Sequence, residues 1–177
     1  GLVSSGRYLP RKAWRNLPIT HLNVDEATLT VRQVPPENLV FWMGGSEPAG
    51  ERESNVILKK TLKLKSVPDS PQTTFIDIGA LVPSTTQGLL QISLNAVETR
   101  EVSARLLLTN LHLVAKRSQA NTAGGRPTEV AVWTLDMDTG TPQSGVEVKL
   151  VRRSGFVVSR CLSAGVGACI LQYPVND

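Results

Sequence analysis

The sequence predicts an all-β chain that folds as two consecutive antiparallel β-sandwich domains. Branched aliphatic residues and threonine are plentiful among the 177 residues, whereas aromatic residues make up only 5%, and this balance favours pleated sheet. Short stretches in which apolar and polar residues alternate recur along the chain, separated by glycine or proline. No helix of ordinary length is required anywhere, so a fold that alternates strands with helices is not expected.

The composition is that of a globular chain. Hydrophobic residues are 41% and charged residues 19%, and no apolar run approaches the roughly 18 residues that cross a bilayer. The net charge of +4 comes from lysines and arginines spread over most of the chain, so it favours solubility and no nucleic-acid partner is expected. No secretion signal opens the sequence, so any targeting signal is expected to have been removed or to lie outside these residues.

The first predicted domain comprises residues 1–104. The stretch Ala27–Arg32 places apolar residues at odd positions and polar residues at even ones, which is typical of a half-buried strand. Pro35-Pro36 ends it, because proline cannot donate to a sheet, and a short helix over residues 37–43 is expected to follow. Residues 44–53 are rich in glycine, proline and charge, so they are expected to form a loop.

The stretch Asn55–Lys65 alternates again, with leucines and a valine on one face and lysines on the other. Lysines on the outward face are typical of an edge strand, where they discourage pairing with a second sheet. A polyanion-binding face is the alternative interpretation. Residues 73–78 and 88–97 are the next predicted strands of this domain.

The second predicted domain comprises residues 105–177 and follows the charged stretch Glu98–Glu101. Its first element, Arg105–Ala115, is rich in leucine, but its Thr-Asn centre and its lack of capping residues favour an extended strand over a helix. Turn residues separate four further predicted strands, at residues 129–136, 145–152, 156–160 and 168–172. Trp133, inside the first of these four strands, is expected to lie in the core.

The two cysteines of the chain, Cys161 and Cys169, flank seven residues that could reverse the chain between two strands. A disulfide across such a hairpin is predicted, and it would fit an oxidising compartment. Two reduced, buried thiols are the alternative. A metal site is not expected here, because the local sequence lacks further ligands.

Basic and aromatic residues interleave near the amino terminus and form a candidate interaction surface. It consists of Arg7, Tyr8, Arg11, Lys12, Trp14 and Arg15. Such a pattern could serve a glycan or nucleic-acid platform, but no recognised module frames it. The alternative interpretation is that Tyr8 and Trp14 pack on one end of the sandwich while the basic side chains stay solvated.

A series of short motifs runs through nearly the whole chain. In chain order they are Gly6–Pro10, Leu17–Asp25, Val31–Leu39, Leu108–Leu113, Trp133–Pro142 and Gly145–Val148. In this order the motifs resemble the bacterial alpha-2-macroglobulins, large envelope proteins built from consecutive macroglobulin domains. Asn110 and His112 depart from the Thr-Asp-Leu-Gly-Leu strand that opens a domain in that family.

The resemblance implies that both domains are seven-stranded, fibronectin-like sandwiches and that the second lacks its last strand. It implies a non-catalytic structural role within a larger, periplasmic or envelope-associated parent protein that entraps proteases. The implied partners are proteases, through the full-length parent, neighbouring macroglobulin domains and envelope proteins. No cofactor is implied. The family's thioester is not expected either, because Cys161 is followed by Leu162-Ser163-Ala164 and not by the required glutamine.

Two other classes of function are weighed against this interpretation. Immunoglobulin-like modules of an exported scaffold or adhesin would show the same strand and turn pattern. A hydrolase would need a nucleophile beside a base, yet the two histidines, His21 and His112, both lie in strand-like stretches and no catalytic residues are assigned. Asp136 and Asp138 precede a turn, where aspartate ordinarily caps backbone amides, so no metal site is assigned.

The cysteine prediction is checked by mass spectrometry of the intact chain. We expect iodoacetamide to modify neither Cys161 nor Cys169 in the unreduced, denatured chain and to modify both after reduction. Two alkylated cysteines without reduction would contradict the disulfide and weaken the placement in an oxidising compartment.

Overall fold

The structure, a computed structural model, describes residues 8–9, 13–44, 54–97, 99–118 and 128–173, with the backbone alone for residues 8, 9, 43 and 44. The described residues form twelve β-strands and two short α-helices, which makes the chain all-β, as the sequence predicts. The chain divides into two compact units, residues 1–109 and residues 110–177.

The described residues of unit 1 form seven strands and both helices. Their bounds are β1 Tyr8–Leu9, β2 Leu17–His21, β3 Glu26–Gln33, α1 Leu39–Gly44, β4 Asn55–Lys63, β5 Gln72–Ile76, α2 Ile78–Leu81, β6 Gly88–Asn95 and β7 Val102–Leu108. Five strands form one sheet in the order β1-β7-β6-β3-β4, in which β1 runs parallel to β7 and the other pairs are antiparallel. Strands β2 and β5 form a second, antiparallel sheet.

The core of unit 1 follows directly from the alternation along its strands. Leu29 and Val31 of β3 are fully buried, and Leu90 and Ile92 of β6 lie buried on the same face of the sheet. Leu17 of β2 joins the same cluster from the second sheet. Two sheets that bury their apolar faces against each other are the arrangement that a sandwich requires.

Strand β4 lies at the edge of the five-stranded sheet, which agrees with its lysine pattern. Lys59 pairs with Thr30 on the outward face, whereas Lys60 pairs with Leu29 and therefore occupies the core-facing side of the edge. A charged side chain at an inward position of an edge strand opposes pairing with another sheet, since the charge would be buried there.

The helix predicted over residues 37–43 is present as a short 3-10 turn, Pro36–Asn38, that continues into α1. Trp42 of α1 is buried against Val34, and the Arg105 guanidinium lies 4.0 Å from the centre of its ring. Trp42 thus anchors α1 within unit 1 by apolar packing and a cation–π contact.

Unit 2 contains five strands in its described residues. Their bounds are β8 Leu111–Arg117, β9 Thr128–Asp136, β10 Glu147–Val151, β11 Val157–Leu162 and β12 Cys169–Tyr173. One antiparallel sheet has the order β12-β9-β8, and strands β10 and β11 form a separate antiparallel hairpin. None of the described helices in either unit is long and apolar enough to cross a membrane.

The structure divides the chain later than the predicted boundary between Ala104 and Arg105. That point lies inside β7, which pairs with β6 from Val102 to Leu108 and so belongs to unit 1. The predicted strand Arg105–Ala115 is therefore two strands of different units. They separate at Asn110, whose carbonyl accepts a hydrogen bond from the Met137 amide of unit 2.

We expect Leu29→Ala to lower the free energy of unfolding of unit 1 by about 2–5 kcal/mol, because it leaves a cavity in the core. Leu22→Ala is the matched control, since Leu22 is 50% exposed, and it should change stability by no more than about 0.5 kcal/mol. Urea unfolding followed by tryptophan fluorescence measures both. Equal effects of the two substitutions would contradict the assigned core.

Candidate interaction surfaces

The interior of unit 2 is much smaller than that of unit 1. Among the described residues of unit 2, the buried apolar side chains are Val132, Cys169 and Leu171, whereas the main core cluster of unit 1 has fifteen members. A sandwich held by three buried apolar side chains gains little hydrophobic stabilisation, so unit 2 needs another constraint.

That constraint is the disulfide between Cys161 of β11 and Cys169 of β12, whose Cα atoms lie 5.9 Å apart. The sequence predicts a bridge across a hairpin, but β11 pairs with β10 and β12 pairs with β9. The intervening residues therefore arch from one sheet to the other. The disulfide links the two sheets of unit 2 and not two strands of one hairpin.

Ser163 fixes the start of this arch by hydrogen bonds, and no sequence motif assigns it a structural role. It is 7% exposed, its hydroxyl donates to the Gln143 carbonyl at 2.8 Å, and the same oxygen accepts the Val146 amide at 2.9 Å. A serine in a glycine-rich segment is typical of any turn, so its sequence context carries no signal of this buried role. Val166, near the middle of the arch, is 90% exposed.

An apolar cleft lies between the two sheets of unit 2. It has a volume of about 350 Å³. Its lining residues are Val130 of β9, Leu150 and Val151 of β10, Arg152, Val158 of β11 and Tyr173 of β12. The lining is mostly aliphatic, with Arg152 and Tyr173 as its polar members, so the cleft is suited to binding apolar side chains.

The three-stranded sheet of unit 2 carries apolar residues on both faces. Val132 is buried on the inner face, whereas Trp133 is half-buried on the outer face, where it pairs with Val114. Trp133 thus lies outside the interior in which the sequence places it. Val114 is 41% exposed and Ile170, on the same outer face, is 45% exposed. A sheet with two apolar faces is typical of one that is covered on both sides.

Three charged residues lie on the outward side of β10 and β11, beside the exposed Leu162. The Lys149 ammonium lies 2.8 Å from the Glu147 carboxylate, and the Arg160 guanidinium lies 4.0 Å from it. The hydrogen bond from Lys149 lowers the pKa of the Glu147 carboxyl. All three side chains are well exposed, so this cluster contributes little to stability and mainly keeps that side of the hairpin in water.

The structure describes three of the six members of the amino-terminal candidate surface, Tyr8 by its backbone alone. Trp14 is 6% exposed and belongs to the core of unit 1, where its carbonyl accepts the Ile78 amide at 2.8 Å. Arg15 is exposed, and Tyr8 lies in β1 with its Cα opposite that of Leu107. Arg7, Arg11 and Lys12 lie outside the described residues.

Trp14 and Arg15 also contribute to a second cavity, of about 320 Å³, at one end of unit 1. Its other lining residues are Asp77, Gly79, Ala80 and Ser84. The Asp77 carboxylate accepts the Ala80 amide at 3.0 Å, so it caps the first turn of α2. A role of the amino-terminal surface in binding stays a prediction.

His21 and Asp136 have local structural roles, whereas His112 is exposed on β8. The His21 ring is 7% exposed, and its Nε2 lies 3.0 Å from the Thr74 hydroxyl. The Asp136 carboxylate accepts the amides of Asp138 and Thr139 at 2.9 and 2.8 Å, which is the turn cap expected from the sequence. Within the described part of the chain, no three histidine, cysteine or acidic side chains cluster in a way that could hold a metal ion.

We expect a chain carrying Cys161→Ser and Cys169→Ser to lose about 2–4 kcal/mol of stability in unit 2, because the cross-link between its sheets is gone. Hydrogen exchange measured by mass spectrometry should show faster exchange in β9 and β12 and little change in β3 and β6. Reductant should have the same effect on the wild-type chain and none on the variant. Unchanged exchange in unit 2 would contradict this role.

No known protein-family profile and no curated protein matches the chain. Several solved structures, in contrast, are similar to it over nearly its whole length. The Escherichia coli native alpha-2-macroglobulin structure spanning domains NIE-MG1 is 17% identical with a TM-score of 0.71, over 97% of this chain and 86% of that one. Trypsin-activated alpha-2-macroglobulin from Escherichia coli is 19% identical with a TM-score of 0.76, over 99% of this chain.

A Salmonella alpha-2-macroglobulin mutant, Y1175G, is 18% identical with a TM-score of 0.61, over 97% of this chain. The chain spans 12% of the trypsin-activated Escherichia coli protein and 10% of the Salmonella protein. Each likeness extends over both units and not over a single sandwich. The chain therefore has the fold of the NIE-MG1 segment of bacterial alpha-2-macroglobulins, which confirms the resemblance found in its sequence motifs.

Proposed function

We propose that this chain is a non-catalytic, two-domain structural segment of a bacterial alpha-2-macroglobulin-type protease inhibitor, its parent protein. The observation that carries the proposal is the continuous likeness to the NIE-MG1 segment over 97% of the chain. A single β-sandwich is shared by many unrelated proteins, whereas two consecutive units that match in one order are a more specific signal.

The chemistry of the described residues supports a scaffold and not a reactive centre. The sulfur of Cys161 is bonded to Cys169, so it is not available to form a thioester. The His21 Nε2 lies beside the Thr74 hydroxyl of the neighbouring strand, the Asp136 carboxylate caps its own turn, and the cleft of unit 2 is mostly apolar. What the units offer to partners is apolar sheet surface, which suits contacts with neighbouring domains.

The proposed location is the periplasm or the cell envelope. The support is the disulfide between the sheets of unit 2, since such bonds persist in oxidising compartments. In that setting the parent would entrap a protease sterically after the protease cuts a bait segment. The proposed partners of this chain are the neighbouring domains and, through the parent, proteases and envelope proteins.

The proposal is tested on the parent protein with trypsin as the protease. Parent protein in excess should abolish most cleavage of a large substrate such as casein, because a trapped enzyme cannot reach it. Cleavage of a small chromogenic peptide should persist, because the active site stays intact and small molecules diffuse in. The 177-residue chain alone should change neither rate.

Equal loss of activity towards both substrates would indicate an active-site inhibitor and would contradict entrapment. If trypsin cuts the parent protein and still cleaves both substrates at undiminished rates, the result would favour the other class considered, an immunoglobulin-like scaffold or adhesin module.

A further inference from the structure

Four of the seven lysines of the chain fall within residues 59–65 and form one track along β4. The members of this lysine track are Lys59, Lys60, Lys63 and Lys65, and all four are exposed. Residues 54–68 contain no aspartate or glutamate. The track extends over about 20 Å, because an extended chain rises about 3.4 Å per residue. Positive charge is thus concentrated along one edge of unit 1.

Edge protection explains one of these lysines better than the others. Lys60 occupies the core-facing side of β4, opposite Leu29, where a charge opposes pairing with another sheet. The register places Lys59 and Lys63 on the outward face instead. Lysines on the outward face oppose pairing less strongly, since their charges stay in water even when a strand pairs with the edge. The outward lysines therefore leave room for a second role.

The positive charge of the track is not neutralised within the described part of the chain. Glu26 is opposite Lys63 in the register, yet the two side chains form no ion pair there. The Asp25 carboxylate accepts a hydrogen bond from the Ser66 hydroxyl. The charged residues of β10 and β11, by contrast, lie within 4.0 Å of one another. Uncompensated charge of one sign along a strand attracts a ligand of the opposite sign.

Hydroxyl side chains lie beside the track on the outward face of the sheet. Thr61 lies between Lys59 and Lys63 on β4. Lys59 is opposite Thr30 of β3, which is in turn opposite Ser93 of β6. Neighbouring strands are about 4.8 Å apart, so cations and hydroxyls alternate at short intervals on this face. A hydroxyl both donates and accepts hydrogen bonds, as a sugar hydroxyl does.

We propose that the lysine track and the hydroxyls beside it bind a linear acidic polysaccharide. The ammonium groups contact its sulfate, phosphate or carboxylate groups by charge-assisted hydrogen bonds. Thr30 and Thr61 hydrogen-bond the sugar hydroxyls between these charges. A linear polymer fits this surface because the four cations lie along one strand.

Two other kinds of polyanion match the surface less well. Single-stranded nucleic acids are held by aromatic side chains that stack on the bases, and β3 and β4 contain no aromatic residue. Binding to an anionic membrane gains from a contiguous apolar surface. The exposed apolar residues of this segment are Val56 and Val67, which lie singly beyond the two ends of the track.

The test measures binding of the 177-residue chain to heparin, a linear sulfated polysaccharide, by isothermal titration calorimetry. Uncharged dextran of the same length is the control ligand. We expect heparin binding that weakens at least about tenfold between about 50 and 200 mM sodium chloride, because salt screens the ion contacts and favours the bound counterions. Dextran should not bind. Absence of heparin binding at the lower salt concentration, or equal binding of dextran, would overturn the proposal.

Paired substitutions locate the binding site. Lys59→Gln with Lys63→Gln should weaken heparin binding about tenfold, whereas Lys59→Arg with Lys63→Arg should retain it, because the charge is kept. Lys116→Gln with Arg153→Gln is the matched control, since it removes the same charge from exposed positions of unit 2. This control should change the affinity by no more than about twofold. Equal losses from the two glutamine pairs would indicate general charge attraction and would contradict a site on β4.

Competing polyanions distinguish the possible occupants. Phosphatidylglycerol vesicles and single-stranded DNA, matched to heparin in charge concentration, should each bind at least about tenfold more weakly than heparin. Tighter binding of either one, lost with Lys59→Gln and Lys63→Gln, would assign the track to that polyanion and overturn the polysaccharide. The outcome is independent of the trypsin test, which uses the parent protein and a protease.

Discussion

The covalent link between Cys161 and Cys169 is the interaction on which unit 2 depends. Each cysteine belongs to a different sheet, so the bond holds together two sheets that share only a small apolar core. With three buried apolar side chains among its described residues, unit 2 gains little stability from packing, and a cross-link offsets this by restricting the unfolded chain.

Unit 1 shows the opposite balance. Its two sheets enclose a continuous aliphatic core, and its exposed edge strand β4 carries lysines on both sides, including Lys60 opposite Leu29. Such an edge resists pairing with another chain. Strand β10, which pairs only with β11 among the described strands, instead borders an apolar cleft. Unit 1 is thus closed by its own core, whereas the described part of unit 2 keeps apolar side chains exposed, among them Leu113 and Ile170.

Sequence reasoning succeeded where a property is local and failed where it depends on pairing between distant strands. The alternation along β3 assigned Ala27, Leu29 and Val31 to the core because side chains alternate across a strand. The predicted strand Arg105–Ala115 contains the boundary between the two units. Sequence reasoning missed it because an Asn-Leu pair is not a strand-breaking signal by itself. The site was less accessible to prediction: residues of four strands and Arg152 line the cleft, and the buried role of Ser163 depends on a carbonyl twenty residues earlier.

The amino-acid sequence by itself determined the all-β class, the inward and outward faces of β3 and β4 and the family of folds, since each follows from local patterns of residue type. Only the tertiary structure decided that the two cysteines join different sheets, that Trp133 lies outside the interior of unit 2 and that, among the described strands, β10 pairs only with β11. The physical reason is that alternation states which face of a strand is apolar. It does not state which strand lies beside it or whether another sheet covers that face.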